Sequence, residues 1–478
     1  MYSDPSTAEK HAEVLMNRHQ VGLVDACFEE NQYDEGIALL SQLRASAVLP
    51  SASHMRQLLY FSLYPPAVET SPIDGLLSPS KNSRQQQRSL TISSHTAASA
   101  CSLLVQYAMS MRPQGVAQVL PSYNCSNVDR GDSSESLIAK ESYCISEAKN
   151  CWNILQKGFI HRAITSSPTT RPVPRTTVYE DEDEDEAEDD FKFGVSNVVA
   201  EHAWIVLDFL LILFERDECE TEARGLPRYS PLLLNQIPAP RNGKGARWEA
   251  DAPLSIILYA LTQNGNEQRL QMGARLAHLL INLCSTNLFD FTMFLNSVFT
   301  RVYTTAPKEF LALLMSLPPT VPVLRFRITL LHKFHSNGSK SATRDASLRA
   351  KPQARAKPIR RAPDNTKSIE EQSKSQLTST SILSQITLPT FADIQRSMEE
   401  LKLNLLNKDI PYSWIQFQLW TSFAMYQTRL PLEVRDDGWQ GLLQSGNLSQ
   451  QLDELFDSKD PEATVYKEIL NGMLSGQP

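Results

Sequence analysis

The most hydrophobic stretch of this 478-residue chain is Ala203-Trp-Ile-Val-Leu-Asp-Phe-Leu-Leu-Ile-Leu-Phe214. A membrane-spanning helix needs about 20 apolar residues. This stretch is shorter, contains Asp208, and directly follows Glu201 and His202. A helix that is apolar on all sides is typical of a protein core. We therefore predict a buried core helix within residues 193–217 and no membrane span.

Helical periodicity continues on both sides of this stretch. In residues 253–335, prolines such as Pro307 and the pair Pro318-Pro319 separate apolar runs, and short turns between helices are typical of antiparallel helix packing. No Asn-Gly or Asp-Gly turn joins two alternating apolar runs, so no β-hairpin is predicted. One helix of this block is predicted from apolar residues three or four positions apart: Leu270, Ala274, Ala277, Leu280 and Cys284.

Stretches of different composition divide the chain into helical blocks. They are rich in Ser, Pro and Gln, in acids, or in bases, and they lack a sustained apolar period. The sequence therefore predicts an all-α fold, an irregular α-solenoid of helical-repeat-like blocks separated by disordered linkers. The predicted blocks are 8–64, 96–165, 193–217, 253–335 and 389–478. The segments between them are linkers at 65–95, 166–192 and 336–388 and an irregular connection at 218–252.

The most specific local pattern is LVDACFEENQYDEGIALLSQLRASAVLP, residues 23–50. It resembles one pentatricopeptide or tetratricopeptide-like unit, in which two short helices form a hairpin. The resemblance implies a further helix at 54–63 and a neighbour that covers the apolar side of the hairpin. In the match, Leu23, Ala26 and Cys27 form the inner face of the first helix, Tyr33 and Ala38 the contact within the hairpin, and Leu39, Leu40 and Leu43 the second helix.

A second likeness concerns the arrangement of the whole chain. Its helical blocks are interrupted by acidic and basic insertions, and residues 313–334 read LLMSLPPTVPVLRFRITLLHKF. This arrangement is similar to that of helical localisation factors of SMC-type genome-maintenance complexes. The likeness implies a nuclear multiprotein complex as one class of partner.

Charge is distributed unevenly along the chain. The net charge of the chain is −8. Residues 180–190 contribute −10 and residues 340–367 contribute +7, so the rest of the chain carries −5. That remainder is a poor general binder of nucleic acid, because Lys and Arg supply most of the affinity for phosphates. The acidic run is a candidate interaction segment for a basic partner, with a solvated linker as the alternative: Glu180, Asp181, Glu182, Asp183, Glu184, Asp185 and Glu186.

The basic segment has the spaced cluster that nuclear import receptors read. Weak contact with nucleic acid and simple linker solubility are the alternatives, and stacking on bases is not expected because aromatic residues are missing. The candidate import cluster consists of Lys351, Arg355, Lys357, Arg360 and Arg361.

Motifs of catalysis are not found in the sequence. It has no phosphate-binding loop, nucleophile elbow or metalloprotease motif, and its seven cysteines are scattered without a CxxC pair. His332 with His335, His202 with Glu201, and Cys144 with Cys151 have spacings that fit packing and helix ends better than metal binding or acid–base chemistry. We therefore expect no catalytic residue, metal, cofactor or small-molecule substrate, and the N-terminal sequence predicts no secretory signal.

These features favour a non-enzymatic helical scaffold or adaptor that binds partner proteins in a nuclear complex, with the cytoplasm as the other location. Nucleic acid is expected to contact only the basic linker, and no membrane contact is expected. The alternative is a pentatricopeptide-type RNA-binding protein. It requires a run of repeats that each read a base, and later blocks show no recurrence of 34–36 residues.

Overall fold

A computed structural model describes residues 13–66, 92–121, 123, 136–160, 198–240, 245–263, 265–340, 388–400, 411–456 and 461–475. These residues are almost entirely helical, which confirms the predicted all-α fold. Their two strands are the parallel pair β1 Val14–Leu15 and β2 Val48–Leu49. No helix in these ranges is long and apolar enough to cross a membrane. The predicted linkers 65–95, 166–192 and 336–388 lie largely outside them.

The chain forms two compact units. Unit 1 comprises Met1–Cys284 with Leu288–Ser297, and unit 2 comprises Ser285–Asn287 with Val298–Pro478. The helices of unit 1 are α1 Arg18–Glu29, α2 Tyr33–Ala45, α3 Ala52–Leu63, α4 Ser94–Ser110, α5 Pro113–Val116, α6 Leu137–Ser142, α7 Cys144–Glu147, α8 Trp204–Ala223, α9 Pro231–Asn235, α10 Asp251–Leu261 and α11 Glu267–Leu283.

The division between the units falls inside helix α12, Phe291–Thr305. The predicted block 253–335 therefore does not form one unit, since α10 and α11 belong to unit 1. The other helices of unit 2 are α13 Pro307–Ser316, α14 Val321–Lys340, α15 Phe391–Glu400, α16 Tyr412–Arg429, α17 Asp437–Ser445, α18 Leu448–Leu455 and α19 Pro461–Ser475. Helix α14 extends to Lys340, into the predicted linker that begins at 336.

Helix α8 is the core helix of unit 1, as its sequence predicts. It packs against α4 and α11, and the acid inside its apolar run is paired: Asp208 and Glu215 both accept hydrogen bonds from Arg275 of α11. Glu215 is held by two of these bonds, each 2.7 Å long. An acid in a buried helix is tolerated because a cation from a neighbouring helix neutralises it.

The predicted end of this core helix at residue 217 differs from the structure, in which α8 continues to Ala223. The apolar run ends at Phe214, but Asp217 and Glu218 in the following turn are also buried. They can be buried because other groups of the protein pair with them. Asp217 accepts hydrogen bonds from the Ser230 hydroxyl and the Leu232 amide at 2.7 and 2.9 Å. The predicted irregular connection 218–252 therefore contains the end of α8 as well as α9.

The N-terminal hairpin is present, with a face that differs from the repeat match. Leu23, Ala26 and Ala38 are exposed. The contact between α1 and α2 is made one position later in α1, by residues that include Val24 and Phe28. One residue rotates a helix by about 100°, which suffices to exchange the covered face. Helix α3 covers the hairpin, and its residues from His54 to Leu63 are all buried.

Three arginines, of which Arg327 is buried and Arg216 and Arg247 are partly buried, satisfy carbonyl groups at the ends of three helices. The last four carbonyls of a helix have no partner within it, and a cation there also interacts favourably with the helix dipole. Burial lowers the pKa of all three arginines. The contacts are Arg216 with the carbonyls of Ala108 and Met111 after α4, Arg247 with Leu234 and Ile237 after α9, and Arg327 with Leu314, Met315 and Leu317 after α13.

Two glycines of the hairpin give a matched test of its packing. A Cβ atom added to Gly36 would lie 2.4 Å from Cε1 of Phe28, whereas one added to Gly22 would meet nothing within 4 Å. We expect Gly36→Ala to destabilise the protein by about 1–3 kcal/mol through overpacking. Gly22→Ala should stabilise it by up to about 1 kcal/mol through helix propensity. Urea unfolding of both variants measures the difference, and equal shifts of the two midpoints would contradict the packing of Gly36 on Phe28.

Candidate functional site

A groove of about 550 Å³ lies in unit 2, between the start of α15 and the helices α17 and α18. Its two sides come from parts of the sequence more than 40 residues apart. The groove is lined by Thr390, Phe391, Ala392, Gln395, Asp436, Asp437, Gly438, Gly441, Leu442, Ser445, Asn447 and Gln451.

Asp436 fixes one end of the groove. One of its carboxylate oxygens accepts a hydrogen bond from the Trp439 amide at 3.0 Å, which caps α17. The other accepts from the Phe391 amide at 3.1 Å, at the first residue of α15. Its own amide donates to the Gln427 side chain of α16 at 2.9 Å. A single carboxylate therefore holds two helix starts together, satisfying amides that have no partner within their helices.

A capping box fixes the start of α15. The Thr390 amide and hydroxyl donate to the Asp393 carboxylate at 3.0 and 2.8 Å, and the Asp393 amide donates to the Thr390 hydroxyl at 3.2 Å. These are the reciprocal bonds of a capping box. Hydrogen bonds from Thr390 lower the pKa of Asp393. Thr390 is thereby fixed at the rim of the groove.

Phe391 anchors α15 beneath the groove. Its ring centroid lies 5.5 Å from Trp420 of α16 and 5.6 Å from Trp439 of α17, both in edge-to-face orientation. Phe423 lies within the same cluster. Aromatic pairs at such distances add stability beyond the area that they bury. The floor of the groove is therefore part of the core of unit 2.

Polar groups and an open wall form the rest of the groove. The Gln395 side chain donates to Gln451 at 3.1 Å and links α15 to α18. A Cβ atom at Gly441 would meet nothing within 4 Å, so this wall leaves room for a bound chain to approach α17. The lining contains the carboxylates of Asp436 and Asp437 and no basic side chain. The groove therefore favours a ligand that donates hydrogen bonds and carries positive charge.

Two large apolar side chains are exposed next to the groove. A turn of 3₁₀ helix, Leu432–Val434, leads into Asp436, and its Leu432 and Val434 are 67% and 65% exposed. The Gln440 side chain of α17 donates to the Leu432 carbonyl at 3.0 Å and holds the turn in place. Exposed apolar residues rimmed by polar ones are common at protein interaction sites.

Unit 1 contains a serine, a histidine and an aspartate in contact, which the sequence analysis missed. The Ser51 hydroxyl lies 3.0 Å from Nδ1 of His54, and Nε2 of His54 lies 3.0 Å from Asp25. His54 is completely buried, and Ser51 also caps α3 by accepting from the His54 amide. Nε2 of His54 thus joins α3 to α1, while Nδ1 contacts the residue that caps α3 itself. Ser51 is partly exposed, and its hydroxyl is engaged as the cap of α3.

A second buried polar network surrounds the end of α8. Glu218 pairs with Arg228 and accepts a hydrogen bond from Asn282 of α11 at 2.7 Å. Burial raises the pKa of Asp217 and Glu218, and burial lowers the pKa of the nearby His278. The bonds that Asp217 and Glu218 make hold the chain after α8 against the helix. Within the described ranges, no three His, Cys, Asp or Glu side chains are grouped so that they could hold a metal.

The structure accounts for the other residues that the sequence singled out. Glu201 pairs with Arg269 rather than with His202, whose pKa is lowered by burial. Burial also lowers the pKa of His332, while the side chain of His335 lies outside the described residues. Cys151 is buried beside Trp152. Several large side chains in and next to α12 and α16 are buried in the core: Phe289, Phe291, Phe294, Leu419 and Trp420.

Neither charged candidate segment can be placed in the structure. The acidic run from Glu180 to Glu186 and the basic cluster from Lys351 to Arg361 both lie outside the described residues. No protein-family model, curated protein or solved structure matches the chain. The likeness of residues 23–50 to a repeat unit and the architectural likeness of the whole chain therefore stay predictions.

The neighbouring acids Asp436 and Asp437 should differ in their effect on stability. We expect Asp436→Ala to destabilise unit 2 by about 1–3 kcal/mol, because it removes the cap of α17 and the acceptor for α15. Asp437→Ala removes only an exposed charge in the first turn of a helix and should cost less than about 1 kcal/mol. Urea unfolding followed by tryptophan fluorescence measures both. Similar losses for the two variants would contradict the double role of Asp436.

Proposed function

We propose that this chain is a non-enzymatic helical scaffold or adaptor that binds partner proteins in a nuclear multiprotein complex. We further propose that the groove of α15, α17 and α18 is one of its binding sites. The observation that carries this proposal is the groove itself, with its acidic lining, its open wall at Gly441 and the exposed turn beside it.

These features suit a peptide segment of a partner protein. A segment bound along α17 can donate its backbone amides and side chains to Asp437, Ser445 and Asn447, which line the groove. Leu432 and Val434 offer apolar contact area at the rim. Recognition by a preformed groove with a few fixed polar groups is a common mode of peptide binding, and the capped helices around it reduce the entropy lost on binding.

The architectural likeness supports a genome-maintenance complex as the setting. The N-terminal hairpin supports a second interaction surface, because the outer face of α1 carries the exposed apolar side chain of Leu23. The competing proposal is a pentatricopeptide-type RNA-binding protein. It needs several units and a basic face, whereas the chain outside 180–190 and 340–367 carries a net −5.

Affinity capture tests the groove with a matched pair of glycines. Gly441 and Gly472 are both exposed helix residues at which an added Cβ meets nothing within 4 Å, but only Gly441 lines the groove. We expect tagged full-length Gly441→Trp to lose a stoichiometric protein partner that the wild type and Gly472→Trp retain after nuclease treatment. The tryptophan fills the groove without a clash in the core.

The outcomes of the capture experiment separate the two proposals. Recovery of the same partner by Gly441→Trp would show that the groove is not its binding site. Recovery of RNA, with no protein that survives nuclease treatment, would replace the scaffold proposal by the pentatricopeptide alternative.

Nuclear import through the basic cluster is tested by a charge-matched pair of variants. Replacing Lys357, Arg360 and Arg361 by Ala removes three charges from the cluster and should abolish nuclear accumulation of a fluorescent fusion, because import receptors read clustered Lys and Arg. Replacing Arg344, Arg349 and Lys367 by Ala removes the same charge from outside the cluster and should leave the distribution unchanged. Unchanged accumulation of the first variant would refute the import signal.

A further inference from the structure

The groove and the basic segment of the same chain have complementary chemistry. The groove offers two carboxylates together with the polar groups of Ser445 and Asn447, and no cation. The segment KPQARAKPIRR, residues 351–361, carries five cations and no acid. Lys and Arg side chains are donors only, and an Arg guanidinium pairs with a carboxylate through two parallel hydrogen bonds. The groove therefore supplies hydrogen-bond acceptors and negative charge, and the segment supplies donors and positive charge.

The chain also joins the segment to the edge of the groove. The described part of unit 2 resumes at Leu388, two residues before Thr390, which lines the groove. From Arg361 to Leu388 the chain advances 27 residues (388 − 361), a length that spans at most about 90–97 Å when extended. The chain between Arg361 and Leu388 is thus long enough for the basic cluster to reach the groove.

The segment is also tethered to unit 2 at its other end. Helix α14 ends at Lys340 and packs against α15 and α16, within unit 2. Lys351 follows Lys340 by 11 residues (351 − 340), which span at most about 40 Å. A tether of this kind gives a bound segment an effective concentration that can reach the millimolar range, so even weak charge pairing produces substantial occupancy.

We propose that the basic segment 351–361 binds in the groove of its own chain, with its Lys and Arg side chains paired with Asp437. The proposal rests on the proposed function, since both use the same groove. A partner protein then has to compete with the segment for the groove. The binding of the partner is regulated by whatever neutralises or occupies the basic cluster, including an import receptor.

Competition by a labelled peptide tests this intramolecular binding in the full-length protein. The probe is a fluorescent peptide of residues 349–363, and binding is measured by anisotropy at low and high salt. A full-length variant with Lys351, Arg355, Lys357, Arg360 and Arg361 replaced by Ala should bind the peptide about tenfold more tightly than the wild type, because the tethered competitor is lost. Rising ionic strength should weaken binding, since the pairs lie at the surface.

Further substitutions in that variant place the peptide in the groove. Gly441→Trp should abolish binding, and Asp437→Asn should weaken it about two- to fivefold, the effect of one exposed charge pair. The controls are Gly472→Trp and Glu309→Gln; Glu309 is an exposed first-turn acid of α13 that does not line the groove. Both controls should bind like the parent, and a peptide with its Lys and Arg changed to Glu should not bind.

Two results would overturn the inference: equal affinity of the wild type and the five-alanine variant, or an affinity that Gly441→Trp leaves unchanged. Hydrogen exchange supplies an independent measure, because the amides of α17 and α18 should exchange faster in the five-alanine variant than in the wild type. Unchanged exchange would also count against the proposal. If the peptide fails to bind but Gly441→Trp still loses the captured partner, the proposed function stands and only the intramolecular binding fails.

Discussion

Unit 1 depends on the satisfaction of polar groups inside a buried helix. Helix α8 is covered on several sides, yet it carries Asp208, Glu215, Asp217 and Glu218. Asp217 and Glu218 are buried, where an unpaired carboxylate would cost several kcal/mol, whereas Asp208 and Glu215 are partly exposed. Each acid instead has a partner from another element: Arg275 from α11, or groups from the chain that follows α8. These partners can be met in one arrangement only, so the acids specify how α11 and the 224–232 chain pack on α8.

Polar groups at the ends of helices also need partners, and this holds in both units. Apolar packing tolerates small shifts along a helix, whereas a guanidinium that binds two or three carbonyls does not. Arg216 and Arg247 meet this need in unit 1, and Arg327 meets it in unit 2. Asp436 acts on helix N-termini in the equivalent way. Polar contacts therefore determine where the helices end and which ends lie side by side, while the apolar residues supply most of the stability.

Sequence patterns predicted the features that depend on residues close together in the chain. The all-α class and the core helix around Ala203–Phe214 follow from local periodicity. The end of α8 was misplaced because its last buried positions are polar, and a count of apolar residues does not register paired acids. The likeness of residues 23–50 to a repeat unit stays a prediction. The buried face of α1 lies one position away from the face that the match gives, and one position in a helix changes which side is covered.

The groove could not be predicted, because its sides are brought together by contacts between distant residues. Phe391 meets Trp420 and Trp439 only after α15, α16 and α17 have packed, and nothing in the spacing of the sequence marks Asp436 as the acceptor for the Phe391 amide. The neighbouring residues Asp436 and Asp437 also have different roles. Asp436 is committed to the fold by its bonds to two helix starts, whereas the exposed Asp437 is available to a ligand. If the groove binds a partner as proposed, a change at Asp437 alters the ligand that it prefers, while Asp436 maintains the shape of the groove.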